Sequence, residues 1–324
     1  VIMVEARTEV IFARLGQEFG ERVRMDVPLA PYTSARIGGP ADILLTVRSR
    51  DELAAAARIL WSLDAPFRVL GAGSNVLVSD EGYRGVVVLN QAREVRFERH
   101  DGQVLAFAES GASLGALARR CVERGLAGLE WAATVPGTVG GALVGNAGAH
   151  GGDIAGSLAW AELLLRSGQV QRWDAQKLGF GYRTSILKRQ PGAAVVLEGV
   201  FRLHQADPQA LRKVVDGFIT QRRDTQPSGA SMGSMFKNPP GDAAGRLIDA
   251  AGLKGLRVGG AQVSTKHANF FINLGEARAS DVWALIQRVR REVERQFGVR
   301  LELEIELLGA FEAPADLQDH GESE

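Results

Sequence analysis

Seven glycines fall between residues 137 and 152, inside the stretch "PGTVGGALVGNAGAHGGD". Glycine loses more backbone entropy on folding than any other residue, so a run this dense is costly to order. Flexible linkers tolerate it, but they are rich in serine and charge. Here Val135, Val139, Leu143, Val144, Ala147 and Ala149 are threaded through the glycines instead. An apolar, glycine-rich loop that must be ordered leaves bare backbone, which can lie against a flat or phosphorylated ligand. His150 falls at the rim of this loop.

A second cluster, "FRVLGAGSNVLV", places Gly71, Ala72 and Gly73 directly after a short strand pattern. The dinucleotide fingerprint G-x-G-x-x-G would put its third glycine at position 76 and then open a helix toward the pyrophosphate. Val76 stands there, and "VLVSDEGYRGVVVL" continues as strand. A Rossmann-type NAD-dependent dehydrogenase is therefore disfavoured. Two readings of the loop stay open: a nest of backbone N–H groups that holds phosphate, or a tight strand connection.

The rest of the chain narrows the field. Its 324 residues exceed a typical single domain. Lys+Arg and Asp+Glu both total 38, so bulk charge offers no attraction for nucleic acid. The single cysteine, Cys121, cannot form an intramolecular disulfide, and a packing role inside a helix is expected for it. The five histidines are scattered without metal-ligand spacing, so no metal site is expected. The start, "VIMVEARTEVIFARLGQEFG", is amphipathic with early acidic residues, unlike a signal peptide. No apolar run approaches the ~18 residues of a membrane span. A cytoplasmic protein that binds no membrane is expected.

Helices are expected over 49–63, capped by Ser49 or Asp51, and over "SLGALARRCVERG", capped by Ser113 and stopped by Gly125. "DPQALRKVVDGFITQRRD" reads as a helix with Asp207 as cap and Pro208 in first position. A short helix near 242–251 and a long one from Ser280 to Gly298 follow. The long helix has Val282, Leu285, Ile286, Val289, Val293 and Phe297 along one face. Strands are expected in 67–90, in a hairpin turning at Asp101-Gly102, in "LAWAELLL", "VQRW" and "AVVLEGVFRLH", in "ANFFINL" and in "RLELEIELLG". A domain boundary is expected near residue 205. The acidic tail from 311 is expected to be disordered.

One further stretch stands out. "GASMGSMFKNPPG", residues 229–241, puts Ser234 behind Gly233 and before Phe236, Lys237 and Asn238. Gly-Ser pairs are common turns. The same turn can also aim a hydroxyl.

Nine motifs occur in order: "YTSARIGGPAD", "VLGAGSNVLV", "GLEWAATVPGTVGGALVGNAGAHGGD", "YRTSIL", "RRDTQP", "GSMFKNPPG", "AGLKG", "GGAQVSTKHANFFIN" and "LELEIELLG". Together they resemble the family of UDP-N-acetylenolpyruvoylglucosamine reductases, flavoenzymes of the second step of bacterial peptidoglycan precursor synthesis. The resemblance spans residues 25 to 310. It implies an α+β chain with a two-subdomain FAD-binding module of the vanillyl-alcohol-oxidase (PCMH) type and a smaller α+β substrate-binding domain. The subdomains would cover 25–90 and 91–205 and the substrate domain 206–310, and the extension 1–24 is expected to be helical. "SGASMGSMFKNPPGDAAGRLIDAAGLKG" is compact and has no tyrosine, so the chain resembles the shorter, second type of the family.

The resemblance also implies chemistry: NADPH reduces FAD, and hydride then passes to the methylene carbon of an enolpyruvyl nucleotide sugar. Ser234 matches the family's proton donor. Arg183, in "GYRTS", matches the catalytic arginine that holds the substrate carboxylate, although its strand context reads equally well as a surface arginine. Glu304 matches the catalytic glutamate. Alternation alone would put Glu302, Glu304 and Glu306 on a solvated face opposite Leu301, Leu303, Ile305 and Leu307. Asn238, Lys266 and His267 are the expected contacts to the nucleotide sugar. For FAD the candidates are Arg36, Gly71, Gly73, Ser74, Asn75, Pro136, Gly137, Thr138, Gly140, Gly141, Asn146 and Gly148, with Arg223 near the flavin edge. "GAGSNV" holds neither His nor Cys, so non-covalent FAD is expected. No nucleic acid and no obligate protein partner is implied. An oxidase of the same fold would share the glycine clusters but need no Ser–Arg–Glu set. A non-catalytic nucleotide-sugar binder would not be expected to keep all three.

Overall fold

The computed structural model describes residues 2–100 and 103–312. The expected hairpin tip at Asp101-Gly102 and most of the acidic tail lie outside the described residues. The chain divides into two compact units, each interrupted in sequence. The first comprises Val1–Val27, Ala41–Ala72 and Gly85–Asp224; the second comprises Pro28–Pro40, Gly73–Arg84 and Thr225–Glu324.

The first unit holds two sheets. A four-stranded sheet runs in the order Val23–Pro28, Pro40–Val47, Tyr83–Asn90, Phe67–Leu70. Helix Arg50–Ser62, capped by the Ser49 hydroxyl accepting from the Glu52 N–H, packs Leu53, Ala57 and Leu60 against Ile43, Leu45, Val86 and Val88. The N-terminal helix Ile2–Phe19 adds Ile11, Leu15 and Phe19 to the same core. Ile11, Leu15, Phe19 and Val23 are thus continuous with the core of this unit. A larger antiparallel sheet runs Val170–Trp173, Leu158–Leu165, Ala194–Gln205, Gln103–Glu109, Val95–His100, with Leu126–Ala127 paired beside it. His100 pairs with Gln103, the register of the expected hairpin. Helix Leu114–Glu123 covers this sheet, and Cys121 is fully buried in that packing. Burial, acting first, pushes its thiol up to about 12.

Sequence reading ends the first unit near residue 205, whereas the changeover lies between Asp224 and Thr225. Helix Pro208–Thr225, with the Asp207 carboxylate accepting from the Gln209 and Ala210 N–H groups, buries Leu211 and Val215 in the core of the first unit. The glycine-rich run, read as a loop, contains a short helix, Val139–Gly145, followed by the paired segments Gly148–Ala149 and Gly152–Asp153.

The second unit is built on helix Ala279–Phe297. Val282, Leu285, Ile286, Val289 and Val293 are buried as the periodicity predicts. Phe297 departs from that face and is 38% exposed, since it sits in the final turn before Gly298 reverses the chain at φ 66°. Asp80 caps this helix from 199 residues away: Oδ1 accepts from the Ala279 N–H at 2.8 Å and Oδ2 from the Ser280 N–H at 3.0 Å. A three-stranded antiparallel sheet, Arg257–Val258, Ala261–Val263 and Phe271–Asn273, packs on the helix. Segment Val76–Val78 pairs in parallel with Glu306–Leu308.

The last strand is shorter than its alternation predicts. Only Glu306–Leu308 is regular, after a bend at Ile305. The bend shifts the phase: Leu301, Ile305 and Leu308 are buried, while Leu303 and Leu307 are half-buried. Of the three glutamates, Glu302 and Glu306 are exposed and Glu304 is half-buried. Phe311, the first residue of the tail expected to be disordered, packs against Trp283 with ring centroids 5.4 Å apart.

Candidate active site

In the second unit, Ser234 and Glu304 come together through the backbone. Phe236 and Leu303 form an antiparallel bridge. The Glu304 N–H donates to the Met235 carbonyl at 3.0 Å, and the Lys237 N–H donates to the Glu302 carbonyl at 2.9 Å. Ser234 is therefore one register step from Glu304. On its other side Ser234 bridges Phe270. Met235 and Phe236 are fully buried, which anchors the segment, while Ser234 and Glu304 stay half-buried. Gly233 has φ 81°, a conformation that leaves glycine as the natural residue there. Asn75 joins the group: its Nδ2 donates to the Glu304 carbonyl at 3.2 Å, and its own carbonyl accepts from the Glu306 N–H at 2.9 Å.

The candidate substrate contacts sit on neighbouring turns of the same unit. Lys266 and His267 occupy a turn closed by Ser264, whose Oγ accepts from both of their N–H groups at 3.1 and 3.3 Å. His267 Nδ1 accepts from the Asn269 N–H at 3.2 Å, which leaves Nε2 to carry the proton of the neutral ring. Burial, helped by the positive charge of Lys254, pushes His267 below the usual imidazole range. Asn238 Oδ1 accepts from the Ala244 N–H at 3.0 Å, at the start of helix Ala244–Ala250. The Gly245 backbone of that helix faces the His267 ring: a Cβ there would lie 3.1 Å from its Cε1. Arg36 is exposed at φ 56°, and the Gly73 carbonyl accepts from the Ser34 N–H at 3.0 Å. Ser74 is half-buried and Asn75 exposed.

In the first unit the two glycine clusters meet. A Cβ on Gly71 would lie 2.3 Å from Thr138 Oγ1, so the absence of a side chain at 71 makes room for Thr138. A Cβ on Gly140 would lie 3.0 Å from Ser110 Cβ and 3.1 Å from its carbonyl oxygen. Gly148 faces the Gly152 carbonyl across the small hairpin, where a Cβ would lie 2.9 Å from that oxygen. Pro136 and Gly141 are exposed, and Gly137, Thr138 and Gly140 half-buried. This strip of accessible backbone, with side chains held off it, fits a flat cofactor with a phosphate chain.

Asn146 plays an internal part. Its Nδ2 donates to the Gly181 carbonyl at 3.0 Å and to Asp153 Oδ2 at 3.3 Å, and its Oδ1 accepts from the Ala155 N–H at 3.1 Å. It thereby ties the glycine run to the turn that carries Arg183. Arg183 lies in that turn, not in a strand: Gly181 and Thr184 exchange backbone hydrogen bonds at 3.0 and 3.3 Å. Its φ of 55° is a strained value for arginine, and its guanidinium lies 5.6 Å from the Tyr182 ring centroid. Such strain is held only where the surroundings fix it, which points to function. The Ser185 hydroxyl fixes the other end of the turn by donating to the Val144 carbonyl at 2.7 Å.

Sequence reading passed over Arg222 and Asn269, and it placed His150 at the rim of the glycine run. Arg223 is exposed beside Asp224, whereas its neighbour Arg222 is half-buried and donates to the Thr134 carbonyl at the edge of the glycine run. His150 stacks on Phe218 with centroids 4.0 Å apart and shares a hydrogen bond with Thr134 Oγ1, steadying the same edge. Asn269, 3% exposed, is bonded through both side-chain and main-chain atoms. The sequence cue for it is a lone polar residue between Ala268 and two phenylalanines. Buried amides of this kind need partners.

A two-part α+β chain whose first unit exposes a glycine-lined strip of backbone has the features of a protein that binds a flat cofactor with a phosphate chain. The comparisons bear this out. Residues 41–174 match the family model of an FAD binding domain, and residues 225–308 match that of the UDP-N-acetylenolpyruvoylglucosamine reductase C-terminal domain. The chain is 44% identical over 290 residues to the UDP-N-acetylenolpyruvoylglucosamine reductase of Chloroflexus aggregans, covering 88% of this chain and 97% of that protein. It is 49% identical over 289 residues to reductase 2 of Symbiobacterium thermophilum, covering 89% and 92%. The crystal structure of the Thermus caldophilus enzyme superimposes with a TM-score of 0.75 at 38% identity, covering 89% of this chain and all of that one. The chain belongs to the UDP-N-acetylenolpyruvoylglucosamine reductase family, and it is an FAD-dependent oxidoreductase with the expected fold class.

Among the described residues, no helix is long and apolar enough to cross a membrane.

Proposed function

We propose that this chain catalyses the NADPH-dependent reduction of UDP-N-acetylglucosamine enolpyruvate to UDP-N-acetylmuramate, in cytoplasmic peptidoglycan precursor synthesis. The observation that carries the reading is the hydrogen bond from the Glu304 N–H to the Met235 carbonyl at 3.0 Å, which holds Glu304 against the residue that follows Ser234.

FAD, bound without a covalent link, supplies a route for hydride from NADPH to the substrate methylene carbon. Arg36, Gly71, Gly73, Ser74, Asn75, Pro136, Gly137, Thr138, Gly140, Gly141, Asn146 and Gly148 are the residues proposed to hold it. Hydride addition at the methylene carbon leaves an electron pair on the adjacent carbon, delocalised into the carboxylate as an enolate. Arg183 can hold that carboxylate through two parallel N–H donors. Glu304 adds a hydrogen bond to the enolate. Ser234 delivers its proton to the carbanionic carbon, a strong enough base to take it from a hydroxyl, and the lactyl ether results. Asn238, Lys266 and His267 orient the nucleotide sugar, with Lys266 as a point charge for the diphosphate.

The test is a visible spectrum of the purified protein under anaerobic conditions. The flavin band should bleach on addition of NADPH and return on addition of the enolpyruvyl nucleotide sugar. Recovery only on admission of oxygen would favour an oxidase. No flavin, and no uptake of added FAD, would overturn the proposal.

A further inference from the structure

We propose that Asn269 is the positioning residue for the Ser234 hydroxyl, an inference that rests on the reading of Ser234 as proton donor. Three observations carry it. The first is the geometry of its side chain. Asn269 Nδ2 donates to the Phe236 carbonyl at 2.8 Å, and Asn269 Oδ1 accepts from the Phe236 N–H at 2.9 Å. One side-chain amide thus pairs with both backbone groups of one residue, as a neighbouring strand would.

The second is its main chain. The Asn269 carbonyl accepts from the Met235 N–H at 2.8 Å, and its N–H donates to His267 Nδ1 at 3.2 Å. The same residue therefore holds the two peptides that follow Ser234 and sets the tautomer of a candidate substrate contact.

The third is what flanks Ser234. Ser234 itself bridges Phe270 in antiparallel sense, next to Asn269 and just ahead of strand Phe271–Asn273. On the N-terminal side, Gly233 has φ 81°, and no atom lies within 4 Å of where its Cβ would be. Ser234 is accordingly held by the Asn269–Phe270 segment beside it and by the buried Met235 and Phe236 that follow it, not from Gly233. Asparagine suits this post because it carries a donor and an acceptor on a short stem. Aspartate keeps the acceptor alone, and leucine keeps neither.

The experiment separates the two half-reactions of the holoenzyme by anaerobic stopped flow. Flavin bleaching by NADPH reports the first, and flavin recovery with the enolpyruvyl nucleotide sugar reports the second. In Asn269→Leu the second rate constant should fall about 100-fold, the effect of roughly 1 Å of misplacement. The first rate constant and the Kd for the nucleotide sugar should stay within about threefold. Asn269→Asp, which keeps the acceptor for the Phe236 N–H, should show the same split at about a tenfold loss. It decides the matter if the leucine variant does not fold. Equal loss in both half-reactions, or a loosened Kd with an unchanged second rate constant, would overturn the proposal. Ser234→Ala run in parallel distinguishes the failures. If it leaves the second half-reaction intact, the proton-donor reading falls, and the inference with it. If it slows that step while both Asn269 variants do not, only the inference falls.

Discussion

In the glycine run of the first unit, side chains are missing where backbone must come close. Gly71 yields its place to Thr138, and Gly140 lies against Ser110. In the Ser234 segment of the second unit, side chains are present and do the holding: Met235 and Phe236 anchor it by burial, and Asn269 by hydrogen bonds. One surface is shaped by omission, and at Gly71 and Gly140 it leaves no room for an added Cβ. The other is shaped by specific partners and tolerates no lost ones. The two should therefore fail differently, one through cofactor affinity and the other through a chemical step.

The largest expected effect tests the second kind of surface. Ser234→Ala should lower the rate of nucleotide-sugar reduction by about 1,000-fold, within the range for loss of a positioned acid, with FAD content and flavin bleaching by NADPH retained. Glu304→Gln should cost about 100-fold in the same step. Glu306→Gln should stay within about twofold, since an exposed side chain away from the reacting atoms contributes little. The comparison is made by anaerobic stopped flow. A variant at 306 more damaging than that at 304 would reject the register in which Glu304 follows the Phe236–Leu303 bridge.

Next comes the surface shaped by omission. Gly71→Ala would put a Cβ 2.3 Å from Thr138 Oγ1, so Thr138 or the loop must shift. FAD affinity, read by fluorescence titration of the apoprotein, should weaken by about 100-fold, since small displacements at a fitted site are expensive. Once saturated with FAD, the variant should reduce substrate at close to the parental rate. Unchanged affinity would mean that the meeting of the glycine clusters does not shape the cofactor surface.

The sequence made one of these surfaces easier to read than the other. Glycine density is a local signal, and it marked residues 137–152 before any partner was known. It did not show that Val139–Gly145 would be helical, because glycine propensity speaks against a helix and the packing of Val139 and Leu143 overrides it. The helices around Ser49, Ser113, Asp207 and Gly298 were legible from their caps, which are local too. The unit boundary was not. Nothing near 205 reveals that Leu211 and Val215 will pack backward, or that 28–40 and 73–84 belong with the C-terminal residues. Asp80 capping a helix 199 residues away is invisible for the same reason. The proposal of Ser234, Arg183 and Glu304 as site residues rests on the ordered set of motifs. Taken singly they read as a turn, a surface arginine and a solvated strand. The bend at Ile305 that sets Glu304 apart from its neighbours has no signature in the alternation itself.

A smaller effect sharpens the role of hydrogen bonding in the second unit. His267 is neutral in the fold, with burial holding its pKa below the unfolded value. On acidification the unfolded chain takes up the proton first, so the stabilising contribution is present above the unfolded value of about 6.5 and is lost as pH falls toward the folded one. Urea midpoints measured from pH 7.5 down to 5 should therefore drop more steeply for the parent than for His267→Asn. Parallel curves would show that the ring is not buried as neutral imidazole.

The smallest effects separate glycines within one run, and so test whether omission serves the cofactor or the fold. A Cβ on Gly141 would meet only Thr138 Oγ1, at 3.7 Å, and a Cβ on Gly145 would meet nothing within 4 Å. Neither has a positive φ. Alanine at either position is thus free of strain and should stabilise the apoprotein by about 0.4–1 kcal/mol, by narrowing the unfolded ensemble. Gly141 is exposed beside Thr138 and belongs to the proposed cofactor strip, whereas Gly145 does not. Gly141→Ala should therefore gain stability yet lose FAD affinity by about tenfold, as a methyl group intrudes on a fitted surface. Gly145→Ala should gain the same stability with affinity unchanged. Thermal melts of the apoprotein and FAD titrations of both variants give the answer. If the two behave alike, the accessible backbone from Pro136 to Gly141 is a feature of the fold, and the cofactor surface must be drawn elsewhere in the first unit.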